Sequence, residues 1–123
     1  MPDRVIDAHA HGLGLVIDHY DRLGYDVVAR VARTRFGSID LVVFNERSRV
    51  LVFASASTSR PGAVKSSVAA TPAQRRIRRR QAVAWLASAP TRPHARELRF
   101  DTLHVVVDDL GGLVELGHIE GAA

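Results

Sequence analysis

The stretch from Arg35 to Ser57 constrains the fold more than any other, because two apolar runs, Ile39 to Phe44 and Val50 to Ala54, flank the polar turn Asn45 to Ser48. Runs of this length, rich in Val, Ile and Phe, predict two strands of a hairpin. Side chains alternate along a strand, so Ser38 and Asp40 share one face of the first, and Ser55 and Ser57 one face of the second. Asp40 is the lone carboxylate in its apolar run. A charge among apolar neighbours is costly unless paired, so its position calls for a structural or a chemical reason.

The elements around the hairpin follow from local patterning. Leu13, Val16, Ile17, Tyr20 and Leu23 recur at helical spacing from Gly12 onward, and Gly24 ends that helix. Val27 to Val31 predicts a strand, residues 1–11 a flexible N-terminus, and residues 58–70, with Pro61 and Gly62, a mobile loop. Thr71-Pro72-Ala73-Gln74 has the form of a capped helix start: Thr at the cap, Pro at the first helical position and Gln three residues after the cap. That helix should run to Ala89, and two further strands, Leu98 to Val107 and Leu113 to Ile119, meet at Gly111-Gly112. Helix, three strands, helix, two strands predicts an α/β fold with a mixed central sheet of about five strands flanked by helices.

A chain of 123 residues with 46% apolar content suits one domain, here 1–123. Without cysteine it has neither disulfides nor thiolate metal ligands, which fits a cytoplasmic setting. No apolar run reaches the length of a membrane span, and Asp3 and Asp7 stand where a signal peptide is basic. The net charge is +4, and Lys65 is the only lysine among 17 basic residues. A basic balance favours an anionic partner such as nucleic acid. The charge concentrates in the second helix, where Arg75, Arg78 and Arg79 form a stripe opposite Ile77 and Ala84, with Arg76 and Arg80 beside them. Such a stripe reads either as a solvated face or as an anion-binding one.

Asp7-Ala8-His9-Ala10-His11 looks at first like a metal motif, two imidazoles two residues apart after an aspartate. The barrel enzymes that use such a motif need about 250 residues and further ligands from later strands. His94, His104 and His118 are scattered, so His9 and His11 read as solvated N-terminal histidines.

Taken together, Gly24-Tyr25, Gly37-Ser38-Ile39-Asp40-Leu41-Val42, Leu51-Val52-Phe53, Thr71-Pro72, Trp85-Leu86, Arg99-Phe100-Asp101 and the ending His118-Ile119-Glu120-Gly121-Ala122 resemble the YraN-like family of uncharacterised bacterial proteins. The resemblance runs from Gly12 to Ala122 and implies the fold of restriction endonucleases and Holliday-junction resolvases. It also implies a Mg²⁺ site built from a helix glutamate, strand carboxylates and a lysine. Carried over by position, those residues fall on Leu13, Ser38, Asp40, Ser55 and Ser57, so only Asp40 keeps its charge. Mg²⁺ needs charge to displace its waters, and the resemblance therefore implies a degenerate site with no metal cofactor. Asp101, Asp7 and His11 are the residues that could supply migrated ligands, although Asp101 fits better as part of a structural hydrogen-bonding arrangement.

Three functions remain open. The first is a catalytically degenerate nuclease-fold protein that binds nucleic acid, chiefly DNA, without sequence preference through Arg75, Arg76, Arg78, Arg79, Arg80, Arg35 and Lys65, with Arg33 close by. The second is a protein-interaction or scaffold subunit with an acidic protein partner. The third is an active metal-dependent nuclease with migrated ligands. Fold-level analogy also allows a homodimer.

Overall fold

The structure, a computed structural model, describes residues 8–63, 70–89 and 91–121. Its elements are α1 (Ala8–Arg22), β1 (Tyr25–Thr34), β2 (Gly37–Asn45), β3 (Val50–Ser59), α2 (Pro72–Ser88), β4 (Glu97–Val107) and β5 (Leu113–Ile119). They form one five-stranded sheet in the order β1-β2-β3-β4-β5. Short turns join β1 to β2, β2 to β3 and β4 to β5, and each of these pairs is antiparallel. The crossover through α2 makes β3 and β4 parallel, in register from Val50↔Glu97 to Ser59↔Val106. A five-strand mixed sheet between two helices is the predicted α/β architecture, consistent with a restriction-endonuclease-like fold.

The sheet is covered on both faces, which explains the continuous apolar runs of β2 and β3. On one face Leu13, Val16 and Tyr20 of α1 pack on Leu41, Val43, Val52, Leu103 and Val105. On the other, Ala82 and Trp85 of α2 pack on Val42, Phe44, Leu51 and Phe53, with the Trp85 ring edge-on to Phe53 at 5.8 Å. The buried residues of α2 lie in its second half. Its first half starts at the predicted cap, where Thr71 Oγ1 accepts from Gln74 N and Gln74 Oε1 accepts from Thr71 N. Among the described residues no helix is long and apolar enough to cross a membrane.

Three predicted boundaries move. The first helix starts at Ala8 rather than Gly12, its first turn tied down by a hydrogen bond from His11 Nε2 to Gly111 O at 2.6 Å. Residues 8–11 are thus helical, and 1–7 lie outside the described residues. Next, β1 extends from Tyr25 to Thr34, since β2 supplies partners along its length. Finally, Thr58 and Ser59 belong to β3 because β4 continues alongside them; 64–69, the centre of the predicted loop, lie outside the described residues.

The fully buried carboxylate is Asp101 on β4, while Asp40 keeps a quarter of its side chain exposed (25%). Arg99 Nε donates to Asp101 Oδ1 at 2.9 Å and Arg99 Nη2 to Oδ2 at 3.0 Å. The Tyr20 hydroxyl of α1 donates to Oδ2 at 2.7 Å, His118 Nε2 of β5 donates to the same oxygen at 2.8 Å, and Gly121 N donates to Oδ1 at 3.2 Å. The other ring nitrogen of His118, Nδ1, is hydrogen-bonded to His19 Nε2, 3.0 Å away. Burial by itself would raise the Asp101 pKa, but the hydrogen bonds from Arg99, His118 and Tyr20 outweigh it and hold the carboxyl below its usual range. Tyr20 is pushed up by burial and then by Asp101, so its hydroxyl stays a donor. His19 is pushed down by burial, and further by His118 and Arg22.

The lowered pKa values of His19 and Asp101 make acid destabilising. A depressed folded pKa leaves the unfolded chain with more bound protons, so the stability from His19 is complete above its ordinary value of 6.5 and is lost as pH falls below it. The Asp101 contribution is complete above 3.8 and is lost below that. Thermal melts should show a falling midpoint from pH 7 toward pH 5 that is smaller in His19→Gln; an identical slope in both proteins would refute the assignment to His19. Asp101→Asn, which leaves Arg99 without its counter-charge, should cost roughly 3–5 kcal/mol in urea unfolding.

Candidate functional site

The ladder between β2 and β3 runs from Asn45↔Val50 to Leu41↔Ala54. Just beyond it, Asp40 Oδ2 accepts the Ala56 N–H at 2.8 Å, so the carboxylate bridges the strands where their backbones part. His9 Nε2 approaches Asp40 Oδ1 to 3.5 Å. On the α2 side a cleft of about 250 Å³ opens, walled by Ser38, Asp40, Ser55, Gln74, Arg78 and Gln81 above Phe53 and Phe100. It exists because only the second half of α2 packs down on the sheet. Arg78 Nη1 donates to Thr102 Oγ1 at 2.9 Å. Burial pulls the Arg78 pKa below its ordinary value, and the charge of Asp40 acts in the opposite direction.

Of the five positions implied by the family resemblance, three come together. Ser38, Asp40 and Ser55 line the cleft. Leu13 is 3% exposed in the α1 core, where a carboxylate would be stranded. Ser57 Oγ is hydrogen-bonded to His104 Nδ1 at 2.8 Å, and Ser59 Oγ to His104 Nε2 at 3.0 Å. Mg²⁺ fits this set badly: there is one carboxylate, one of its oxygens already accepts a backbone N–H, and a guanidinium shares the cleft. Among the described residues no group of three or more His, Asp or Glu is placed to hold a metal. His9 and His11 are separated by their helix, since residues two apart point in different directions; one faces Asp40 and the other the Gly111 carbonyl.

The basic helix divides by face, and here the predicted stripe is corrected. Arg78 turns toward the sheet, and Ile77 is 48% exposed and lines the cleft rather than forming an apolar seam. The reason is that the packing face of α2 is set by Ala82 and Trp85, which puts Arg78 on the sheet side. Arg75 Nη1 donates to Ala70 O at 3.0 Å. Arg76, Arg79, Arg80 and Val83 face away, and with Arg35 and Phe36 they line an open groove of about 610 Å³. The tip of the β1–β2 hairpin is held there by Gln81 Nε2, which donates to Phe36 O at 3.0 Å. Thr34 Oγ1 braces the same tip, donating to Gly37 O and accepting from Phe36 N. Gly37 has φ +110°, which favours glycine, and a Cβ there would push aside the end of the Gln81 side chain that holds the tip. Arg33 lines the next stretch of surface with Ala84 and Ala87. Lys65 lies outside the described residues. Phe36 and Gln81 are the residues that sequence reasoning passed over; an aromatic between Arg35 and Gly37 in a turn was the available signal.

The sequence profile described as uncharacterised protein family UPF0102 matches residues 14–105. A UPF0102 protein of Corynebacterium efficiens is 37% identical over 112 residues, covering 91% of this chain and 88% of the relative. One from Mycolicibacterium gilvum is 36% identical over 115 residues, covering 91% and 89%. One from Mycobacterium tuberculosis is 30% identical over 116 residues, covering 91% and 88%.

Asp40→Asn keeps a carbonyl that can accept from Ala56 N, so it should cost about 1 kcal/mol of stability. Millimolar Mg²⁺ should leave the melting temperatures of both proteins unchanged. A Mg²⁺-dependent rise in the wild type that Asp40→Asn lacks would establish a divalent site at this carboxylate.

Proposed function

Because the chain belongs to the uncharacterised protein family UPF0102, with an α/β fold consistent with the restriction-endonuclease-like one, we propose that it is a catalytically degenerate nuclease-fold protein that binds nucleic acid, DNA in the first instance, without sequence preference. The observation that carries this reading is the groove in which Arg35, Arg76, Arg79 and Arg80 converge. Helix α2 contains no acidic residue, and among the described residues no carboxylate forms an ion pair with any of these four arginines. A merely solvated helix face commonly interleaves Glu with Arg, since like charges three and four residues apart destabilise a helix. Uncompensated arginines in one groove suit phosphates, and contacts to phosphate position a ligand without reading its sequence.

The composition of the cleft supports reading the protein as inactive. Phosphodiester hydrolysis with a metal relies on anionic ligands that fix the ion against the phosphate, and among the described residues Asp40 is the sole carboxylate lining the cleft. Removing one such electrostatic partner typically costs about two to three decades in rate. Neither Mg²⁺ nor Mn²⁺ should therefore support cleavage of DNA or RNA. Cleavage that needs metal and is abolished by Asp40→Ala would transfer the assignment to an active nuclease with migrated ligands.

Binding is tested by fluorescence anisotropy over a salt series. Four phosphate contacts predict a log–log slope of about −3.6 on duplex or about −2.8 on single strands. Reversing Arg76, Arg79 and Arg80 to glutamate should remove binding, while Asp40→Asn should leave it unchanged. No interaction with any nucleic acid at low salt would favour the scaffold reading, with an acidic protein surface as partner.

A further inference from the structure

We infer that the nucleic acid taken by this groove is single-stranded, and that the Phe36 ring is the platform on which one of its bases stacks. The inference rests on the groove being a nucleic-acid site and names the form of ligand that fits it. Arginines alone would serve duplex and single strand alike, because both present phosphates. Phe36 is the feature that distinguishes them. The residue is 39% exposed and lines the groove with Arg76, Arg79 and Arg80. A partly exposed aromatic at the tip of a hairpin, beside a cationic track, is the arrangement by which single strands are held. Bases in a duplex have their faces covered by neighbouring pairs, and single strands leave them free.

The platform is also held in place before any ligand arrives. The carbonyl of Phe36 accepts from Gln81 on α2, its N–H is bound by Thr34 Oγ1, and the Arg35 guanidinium lies 5.1 Å from the ring centroid. Gly37 supplies the positive φ that closes the turn. A clamped backbone reduces the ordering that binding would otherwise require. Arg35 lies over one face of the ring, so a base would take the other face or displace the guanidinium. Every base has a π face, so this recognition is as tolerant of sequence as the phosphate contacts are, and it serves DNA and RNA alike.

The test compares an oligothymidylate, an oligouridylate, a blunt duplex of mixed sequence and an abasic strand of the same length and charge. Anisotropy is measured with wild type, Phe36→Ala and Phe36→Tyr. Both base-bearing single strands should bind more tightly than the duplex and than the abasic strand, and whichever of the two binds better identifies the source. Phe36→Ala should weaken the base-bearing single strands by about fivefold or more while leaving the duplex and abasic strands nearly unchanged. Phe36→Tyr should retain wild-type affinity. Phe36→Trp gives a second readout, since an indole at this exposed position should be quenched by the oligothymidylate and not by the abasic strand, with the buried Trp85 as internal reference. If the duplex binds as tightly as the single strands, or Phe36→Ala weakens every ligand equally, the stacking inference is overturned and the binding function stands. If no ligand binds at low salt, the nucleic-acid reading of the groove fails, and this inference with it.

Discussion

One buried carboxylate organises the α1 side of the molecule. Asp101 is wholly removed from water, a position that would be strongly unfavourable for a lone charge. It is sustained by the bidentate guanidinium of Arg99, the Tyr20 hydroxyl, the His118 imidazole and the Gly121 amide, which come from β4, α1, β5 and the turn after β5. A carboxylate satisfied on both oxygens fixes the position of each donor. Helix α1 is thereby set along its whole length, and its first turn arrives where His9 faces Asp40 and His11 reaches Gly111. Replacing such a network with apolar groups could give equal stability, but it would not specify the rotation of α1 about its own axis so narrowly.

The candidate site lies where the apolar order of the sheet gives out. Strands β2 and β3 are buried on both faces through Leu41 and Ala54, and the next residues on each side are Asp40 and Ser55. In a metal-dependent site the carboxylates would be left free to meet an ion. Here Asp40 accepts the N–H of Ala56, and so replaces the ladder hydrogen bond that the parting strands lose. This is also the structural reason that a charge interrupts the apolar run of β2. Leu13 completes the picture from the other side: it fills the α1 core, and a glutamate in its place would need a partner that the surrounding Val and Leu side chains cannot offer.

What could be read in the sequence was local. The hairpin, the capping box at Thr71 and the two C-terminal strands follow from alternation and from backbone chemistry within a few residues, and they formed where expected. Of the partners of Asp101, Arg99 stands two residues away on the same strand face and is local in this sense, whereas Tyr20 lies 81 residues away in sequence. The facing of Arg78 was misjudged for a related reason. Helix α2 has few apolar residues, and its charge pattern does not mark its outer face: Ala82 and Trp85, with Leu86 and Ala89 packed beside them, decide which side meets the sheet. The groove escaped notice because it joins two distant segments, the hairpin tip at Phe36 and the helix at Arg79, through one hydrogen bond from Gln81.

The division of α2 into two halves connects its stability to its proposed role. The second half is held by Ala82 and Trp85, while the first half is held by its cap. In that first half Arg75 and Arg79, and Arg76 and Arg80, stand four residues apart, a spacing at which like charges oppose helix formation by a few tenths of a kcal/mol per pair. A cap contributes typically about 1 kcal/mol, enough to offset that repulsion. The helix therefore forms on its own but carries a positive field along its outer face. An anion in the groove would lift the repulsion as it binds, so the same contacts that hold a phosphate would tighten the turn that presents them. This coupling is a physical reason for arginines to be concentrated on a helix that has so little else to bury.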